Sequence, residues 1–336
     1  MFEACQIHDR QEDDPNFPKG GLDIKPSYER YNSCNNEWAK DTEEDIVAFG
    51  IAGRIWEASY LLQRYLTPSG AGTDQFDPPC SDLFVSEKST IIELGAGVGL
   101  VGIHLAQQLQ QHQHRNQCKR IILTDLHNVL PLLARNASKA GVYDPSSSTA
   151  NSVTVEPLPW GSESDAQTIL STAQNESRPV THILCSDLVY FPELLPPLLR
   201  TLIQVTAQSS KVKVIISYKI RSLPKEEPFW RTFGAWFDFS PVLISTNKDK
   251  PQSWRLFGAK KSDMYAYNHA PQFNEEDAED DVFIFVATRK PETLSCMPVS
   301  DDAKLMQGFM RSENGSDIQG KGIETFELIL MSSLEG

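Results

Sequence analysis

The run Ile91-Ile92-Glu93-Leu94-Gly95-Ala96-Gly97-Val98-Gly99-Leu100 constrains the fold of this chain more than any other segment. An apolar β-branched stretch passes through alternating glycines into a helical pattern. Glycines permit positive φ at such a turn and let a ligand approach the backbone, while the first turn of the following helix offers unpaired N–H donors. The segment therefore reads as a ligand loop at the end of a strand. Glu93, next to the strand's end, and Gly95, Ala96, Gly97 and Gly99 are the candidate binding positions.

Around this loop, short β-branched runs alternate with helical stretches. The strands expected are Thr90–Leu94, Ile121–Thr124, Val153–Leu158, His182–Cys185, Val212–Ser217, Val242–Ser245 and Val282–Ala287. Helices are expected at Val98–Gln110, His127–Ala140, Pro192–Ala207 and Lys225–Phe237, and an earlier one carries Ile55, Ala58, Leu62, Tyr65 and Leu66 on one face. Such alternation predicts an α/β fold, a seven-stranded and mainly parallel sheet covered by helices on both faces. The last two strands lack a helix between them, which favours an antiparallel pair at one edge. The aromatics of Lys225–Phe237 fall on one helical face and are expected to pack in the core.

Three sections follow: a polar arm over 1–44, a catalytic domain over 45–290 and a Ser/Gly/Asp-rich tail over 291–336 expected to be largely disordered. The polar stretch Ser162 to Pro179 and the loop Thr246–Asp280, with its acidic run from Glu275 to Asp281, read as enlarged connections. Six scattered cysteines without a CxxC pair imply reduced thiols and neither a disulfide framework nor a zinc site. His112 and His114 point apart on a fading helix, so no metal is expected there. The N-terminus carries charges where a signal peptide needs an apolar stretch, and no run is long enough to span a membrane. A cytoplasmic or nuclear address follows.

With 31 Lys and Arg against 45 Asp and Glu, the net charge is −14, which repels phosphate backbones and argues against nucleic acid as the main partner. A basic protein surface is attracted instead.

The ligand of the loop has two readings. Gly97-Val98-Gly99-Leu100-Val101-Gly102 satisfies the dinucleotide pattern GxGxxG, whereas Gly95 directly after Glu93-Leu94 matches E/D-x-G-x-G-x-G of class I methyltransferases, the preferred register. Asp125, ending the next strand, suits the ribose diol of either cofactor.

Several separated segments bear on the choice: Arg54-Ile55-Trp56-Glu57-Ala58, the Glu93–Gly102 loop, Thr124-Asp125-Leu126, Leu158-Pro159-Trp160-Gly161 and Ser186-Asp187-Leu188-Val189-Tyr190. Together they resemble the family-16 methyltransferases, the largely protein-lysine-directed branch of the seven-strand class I fold, over roughly 50–290. The D-x-x-Y sequence after strand four, preceded by a Trp-Gly dipeptide, is the most specific part of the likeness.

The resemblance implies S-adenosylmethionine as cofactor and a lysine on another protein as acceptor, a translation factor such as elongation factor 1-alpha among the candidates. It implies further that Trp56 flanks the cofactor, Gly95 to Gly97 wrap its methionine end, Asp125 holds the ribose, Trp160 lies by the adenine and Ser186 lines the pocket. Asp187 and Tyr190 would face the acceptor amine and carry the catalytic roles. A small-molecule N-methyltransferase on the same fold and a dinucleotide oxidoreductase are the rival readings; fold alone does not separate them.

Overall fold

The computed structural model describes residues 15–17, 23–27, 37–68, 74–85, 87–112, 119–144, 153–245, 254–258, 282–322 and 326. Two helices, α1 (Glu43–Phe49) and α2 (Glu57–Tyr65), precede the main sheet. The sheet's seven strands are β1 (Ser89–Leu94), β2 (Lys119–Asp125), β3 (Val153–Pro157), β4 (Val180–Ser186), β5 (Lys213–Lys219), β6 (Phe237–Pro241) and β7 (Val282–Arg289). They are interleaved with α3 (Leu100–His112), α4 (Leu130–Lys139), α5 (Glu163–Asn175), α6 (Leu195–Val205) and α7 (Leu223–Trp236).

The strand order is β3-β2-β1-β4-β5-β7-β6. The first five strands run parallel, and β7 inserts antiparallel to both β5 and β6. The chain moves outward from β1 to β3 and then returns to the other side of β1 with β4. A crevice therefore opens above the carboxyl ends of β1 and β4, the position where sheets of this kind bind ligands. Leu94, Asp125, Ser186 and Lys219 all end strands on that edge.

Both faces of the central strands are buried, which explains their continuous apolar runs. Side chains alternate across each strand, so Ile92, Ile183 and Ile216 pack on one side with α5, α6 and α7. Ile91, Leu184 and Ile215 pack on the other with α2, α3 and α4. As expected, Ile55, Ala58, Leu62, Tyr65 and Leu66 are all buried.

Four departures have local physical reasons. The edge strand is Phe237–Pro241 rather than Val242–Ser245: the chain leaves α7 directly into extended backbone, because Phe237 and Phe239 extend the aromatic cluster of Trp230 and Phe233 onto the sheet. Leu243–Ser245 instead joins a small antiparallel sheet with Gln75–Asp77 and Arg255–Leu256. The stretch 162–179, expected to be a polar connection, holds α5. Ser162 caps it, and Ala166, Ile169, Leu170 and Ala173 bury one stripe among outward-facing polar residues. The remainder of the Thr246–Asp280 loop, including the acidic run, lies outside the described residues apart from 254–258.

The fourth departure is the tail. Residues 291–322 are folded, with a short helix α8 (Asp302–Met306) and a three-stranded antiparallel sheet of Met297–Pro298, Phe309–Arg311 and Asp317–Gln319. The anchor is Arg289, 1% exposed, whose guanidinium donates to the carbonyls of Ile203, Thr293 and Cys296 at 2.6, 2.6 and 2.9 Å. Thr232 donates to the Met306 carbonyl at 2.7 Å, and Phe326 stacks on Trp230 at 5.2 Å. Part of the arm is fixed as well: Asp41, fully buried, accepts from the backbone N–H groups of Ser27 (2.9 Å) and Ile55 (3.0 Å) and from the Ser27 hydroxyl (3.1 Å). Among the described residues no helix is long and apolar enough to cross a membrane.

Candidate active site

The crevice holds a cavity of about 330 Å³. Its floor is the glycine loop. Gly95 and Gly97 both sit at φ +55°, a conformation that L side chains rarely adopt. A Cβ on Gly95 would lie 2.9 Å from Trp160 and Leu188, and one on Gly97 would lie 2.9 Å from the carbonyl oxygen of Ala52. Space as well as backbone angle therefore demands glycine at both positions.

The loop is tied to its neighbour strand. The Gly97 N–H donates to Oδ2 of Asp125 at 2.7 Å, the Leu126 N–H donates to Oδ1 at 2.7 Å, and Ala96 N–H reaches the Thr124 carbonyl at 2.9 Å. Asp125 is thus fixed on the lining of the cavity and aimed by two backbone donors. Asn136 adds a bond to the Val98 carbonyl at 3.0 Å from beneath the loop.

Two of the expected binding residues have further structural ties: Glu93, which lines the cavity, and Gly99, which does not. Glu93 is 1% exposed and spends its carboxylate on the Gly102 N–H, 2.9 Å away. Burial, with the Asp125 charge adding to it, pushes its pKa up to about 8 against the pull of the Gly102 bond, so near neutrality it is mostly protonated. It staples the strand to the first turn of α3 and supports the loop from below. Gly99, at φ +80°, does not line the cavity. A Cβ there would meet Ile103 and Leu133 at 3.0 Å, so this glycine serves the packing of the turn.

Trp56, Trp160, Ser186, Asp187 and Tyr190 all line the cavity with Gly95, Ala96, Gly97 and Asp125. Trp56 precedes α2 and donates its indole N–H to the Ile51 carbonyl at 3.0 Å, with the Arg54 guanidinium 4.3 Å from its ring centre. On the opposite wall Trp160 meets Tyr190 edge-on at 6.3 Å, and Tyr190 meets Phe191 at 4.9 Å. Ser186 shares hydroxyl contacts with Ser59 (2.9 Å) and Ser217 (3.3 Å).

Asp187 adopts φ +61°, a strained angle for a residue with a side chain, and its N–H is pinned to the Ser217 carbonyl at 2.8 Å. The side chain is wholly buried. Asp187, on the cavity wall, is gripped at both oxygens by Arg221, Nη1 at 2.7 Å and Nη2 at 2.5 Å. Burial works against the guanidinium's charge, but the hydrogen bonds and charge of Asp187 outweigh it and raise the Arg221 pKa still further. Tyr190 is pushed well above the ordinary phenol range, first by burial and then by the charges of Asp125 and Asp187, so it is a neutral hydroxyl and no base.

Arg221 was not distinguished by sequence reasoning. Neither were Ile51 and Ala52 of the turn before α2, nor Asn16 from the arm; Arg54 and Ile55, which belong to the first of the resembling segments, line the cavity as well. Beside them, Glu57 bonds Arg54 at 2.6 Å and lies 4.0 Å from Lys219. Burial alone would raise its pKa, yet the two cations prevail and lower it, so the carboxylate stays ionised.

Seven strands in this order, the seventh antiparallel, a three-glycine loop after the first strand and an acidic residue closing the second define a class I methyltransferase that uses S-adenosylmethionine. The residues fit that cofactor: the loop is glycine where a Cβ would run into the cavity-lining Trp160, Leu188 and Ala52, and a fixed carboxylate stands at the second strand's end. The family model described as lysine methyltransferase matches residues 36–233, more than half of the chain, and the chain belongs to that family.

Among curated proteins, it is 27% identical to Protein-lysine N-methyltransferase EFM6 of Saccharomyces cerevisiae over 188 residues, 53% of this chain and 68% of that protein. Protein N-lysine methyltransferase METTL21A of Xenopus tropicalis is 25% identical over 62% of this chain and 79% of its own length. EEF1A lysine methyltransferase 3 of the same organism is 27% identical over 66% of this chain and 80% of its own.

Proposed function

We propose that the enzyme methylates the ε-amine of a lysine on a folded, basic protein, and that this acceptor is a translation factor, elongation factor 1-alpha first among the candidates. The observation that carries the reading is the D-x-x-Y segment, whose Asp187 and Tyr190 stand on the cavity wall next to the glycine loop. The name of one Xenopus relative points to the same acceptor. The net charge of −14 favours encounter with a basic surface over binding to nucleic acid.

S-adenosylmethionine, when bound, supplies a methyl group already activated as a sulfonium, so the chain's task is placement. Gly95 to Gly97 and Asp125 hold the cofactor, with Trp56 and Trp160 as apolar walls and Ser186 between them. Asp187, paired with Arg221, and Tyr190 receive the acceptor. A free lysine ionises near pH ~10.4, so well under ~1% of it is neutral near pH 7 and a proton must leave before attack. Water accepts that proton. Tyr190 presents its ring to the lysine stem and its hydroxyl to the amine.

Incubation of the enzyme with radiolabelled cofactor and unmethylated elongation factor 1-alpha tests the proposal. Label is expected on one lysine, lost when that lysine is replaced by arginine, and slower to appear as salt rises. Label confined to small molecules in cell extract, at every salt concentration, would overturn the protein-acceptor reading.

A further inference from the structure

We propose that Arg221 is a positioning residue: it fixes the Asp187 carboxylate and, by neutralising it, lets the acceptor lysine arrive at the cavity as a free amine. The inference rests on the protein-lysine reading above.

The geometry is built from behind as well as in front. Glu226, fully buried on α7, accepts from the Arg221 N–H at 3.3 Å and the Ser222 N–H at 3.0 Å, and Tyr218 donates to the same carboxylate. The turn that carries Arg221 is therefore held to the end of β5. In front, the guanidinium grips Asp187 at both oxygens and stands 5.2 Å from the Trp56 ring centre, which Arg54 approaches to 4.3 Å. The Lys219 N–H also reaches Oδ1 of Asp187, at 3.4 Å.

Among the described residues, charged and titratable groups surround the pair from several elements. Arg54 and Glu57 come from the turn before α2 and its first residue, Lys219 and Arg221 from the end of β5, and Glu226 from α7. Tyr190 and Glu193 follow β4, and Asp125 lies across the cavity. Next to the pair, among the described residues, the cations Arg54, Lys219 and Arg221 face the carboxylates Asp187, Glu57 and Glu226 in equal number.

Without Arg221, a net negative charge would sit where the acceptor arrives. A carboxylate within about 4–6 Å raises the pKa of an ammonium by roughly 1–3 units. The ammonium would bind better and react more slowly, because its lone pair is blocked. In the transfer, the proton leaves the acceptor ammonium for water, and the nitrogen lone pair forms the bond to the methyl carbon. The carbon–sulfur bond breaks with its pair left on sulfur, giving a methylated ammonium and a neutral thioether. An ion pair already complete before the acceptor docks removes the incentive to bind it protonated.

The test compares wild type with Arg221→Gln and Arg221→Lys, using the acceptor protein labelled by wild type, elongation factor 1-alpha in the first instance. Single-turnover methyl transfer is followed against pH, and acceptor affinity is measured by calorimetry with S-adenosylhomocysteine bound. For Arg221→Gln, the pH–rate curve is expected to move about one unit or more to the alkaline side. Acceptor binding near neutral pH should tighten several-fold, while Arg221→Lys, which keeps the charge, should keep the wild-type pH curve. Lys219→Gln, which leaves the grip on Asp187 in place, should shift the curve in the same direction by less and serves where Arg221→Gln does not fold.

A curve for Arg221→Gln superimposable on wild type, or Lys219→Gln showing no shift where the first variant is unfolded, would overturn the inference. So would an alkaline shift in Arg221→Lys equal to that of Arg221→Gln. If wild type labels no protein lysine at all, it is the underlying reading that fails.

Discussion

The backbone N–H of Gly97 points at Oδ2 of Asp125 from 2.7 Å, joining the glycine loop after β1 to the carboxylate that ends β2. This bond couples the two parts of the proposed cofactor site: the loop cannot shift without moving the carboxylate. Replacing Asp125 by alanine should weaken S-adenosylmethionine binding by about 1.5–3 kcal/mol, the usual cost of losing a charged hydrogen bond. Calorimetry is the measurement; unchanged affinity would detach Asp125 from the cofactor.

The glycines should separate by role. Gly97→Ala places a methyl group against the Ala52 carbonyl and strains the backbone, so cofactor affinity is expected to fall at least tenfold. Gly99→Ala pushes instead on Ile103 and Leu133, away from the cavity. It should lower the melting temperature with cofactor affinity held within about threefold in the surviving folded protein. Equal affinity losses in both variants would contradict the assignment of Gly99 to packing.

Glu93 provides a pH test. Its folded-state pKa, pushed up to about 8 by burial, exceeds the ordinary carboxylate value, so the folded state holds the proton more tightly than the unfolded chain. Its contribution to stability is fully present below the unfolded-state pKa and is lost as pH rises through about 8. Glu93→Gln keeps an acceptor for the Gly102 N–H without the ionisation. In denaturant titrations the variant should gain on wild type from about pH 5 to about pH 8 and level off above, by an amount on the order of a few kcal/mol. A difference flat with pH would mean that Glu93 is not held protonated.

How much of this was legible in advance depended on how local each signal is. The glycine loop and Asp125 were readable because strand, glycines and helix follow one another within a few residues. The Arg221 pairing was not: the partners lie 34 residues apart on different loops, and Lys219-Ile220-Arg221 after a strand looks like a solvated charge cluster. Helix α5 was present as a stripe of Ala166, Ile169, Leu170 and Ala173, masked by a surface of Ser, Thr and Gln. The folded tail was hidden for another reason. Arg289 is satisfied by main-chain carbonyls, which every residue carries, so no side-chain pattern announces it.

Asp187 is expected to separate chemistry from cofactor binding. Asp187→Ala should abolish methyl transfer and leave S-adenosylmethionine affinity within a few-fold of wild type, since the carboxylate bonds Arg221 and not the glycine loop. It should also lower the melting temperature, because the Arg221 guanidinium loses its buried partner. Near-normal single-turnover rates in this variant would remove Asp187 from the acceptor site.

The central claim, that the enzyme transfers methyl groups from S-adenosylmethionine to a protein lysine, is tested most directly by mass spectrometry of an unmethylated acceptor after incubation with enzyme and cofactor. Elongation factor 1-alpha is the first protein to try, followed by any band labelled in cell extract. The account predicts added mass in methyl increments on a single lysine side chain, absent without cofactor and absent with Asp187→Ala. Protein lysines that stay unmodified in factor and extract alike, while the enzyme consumes cofactor on a small molecule, would contradict it.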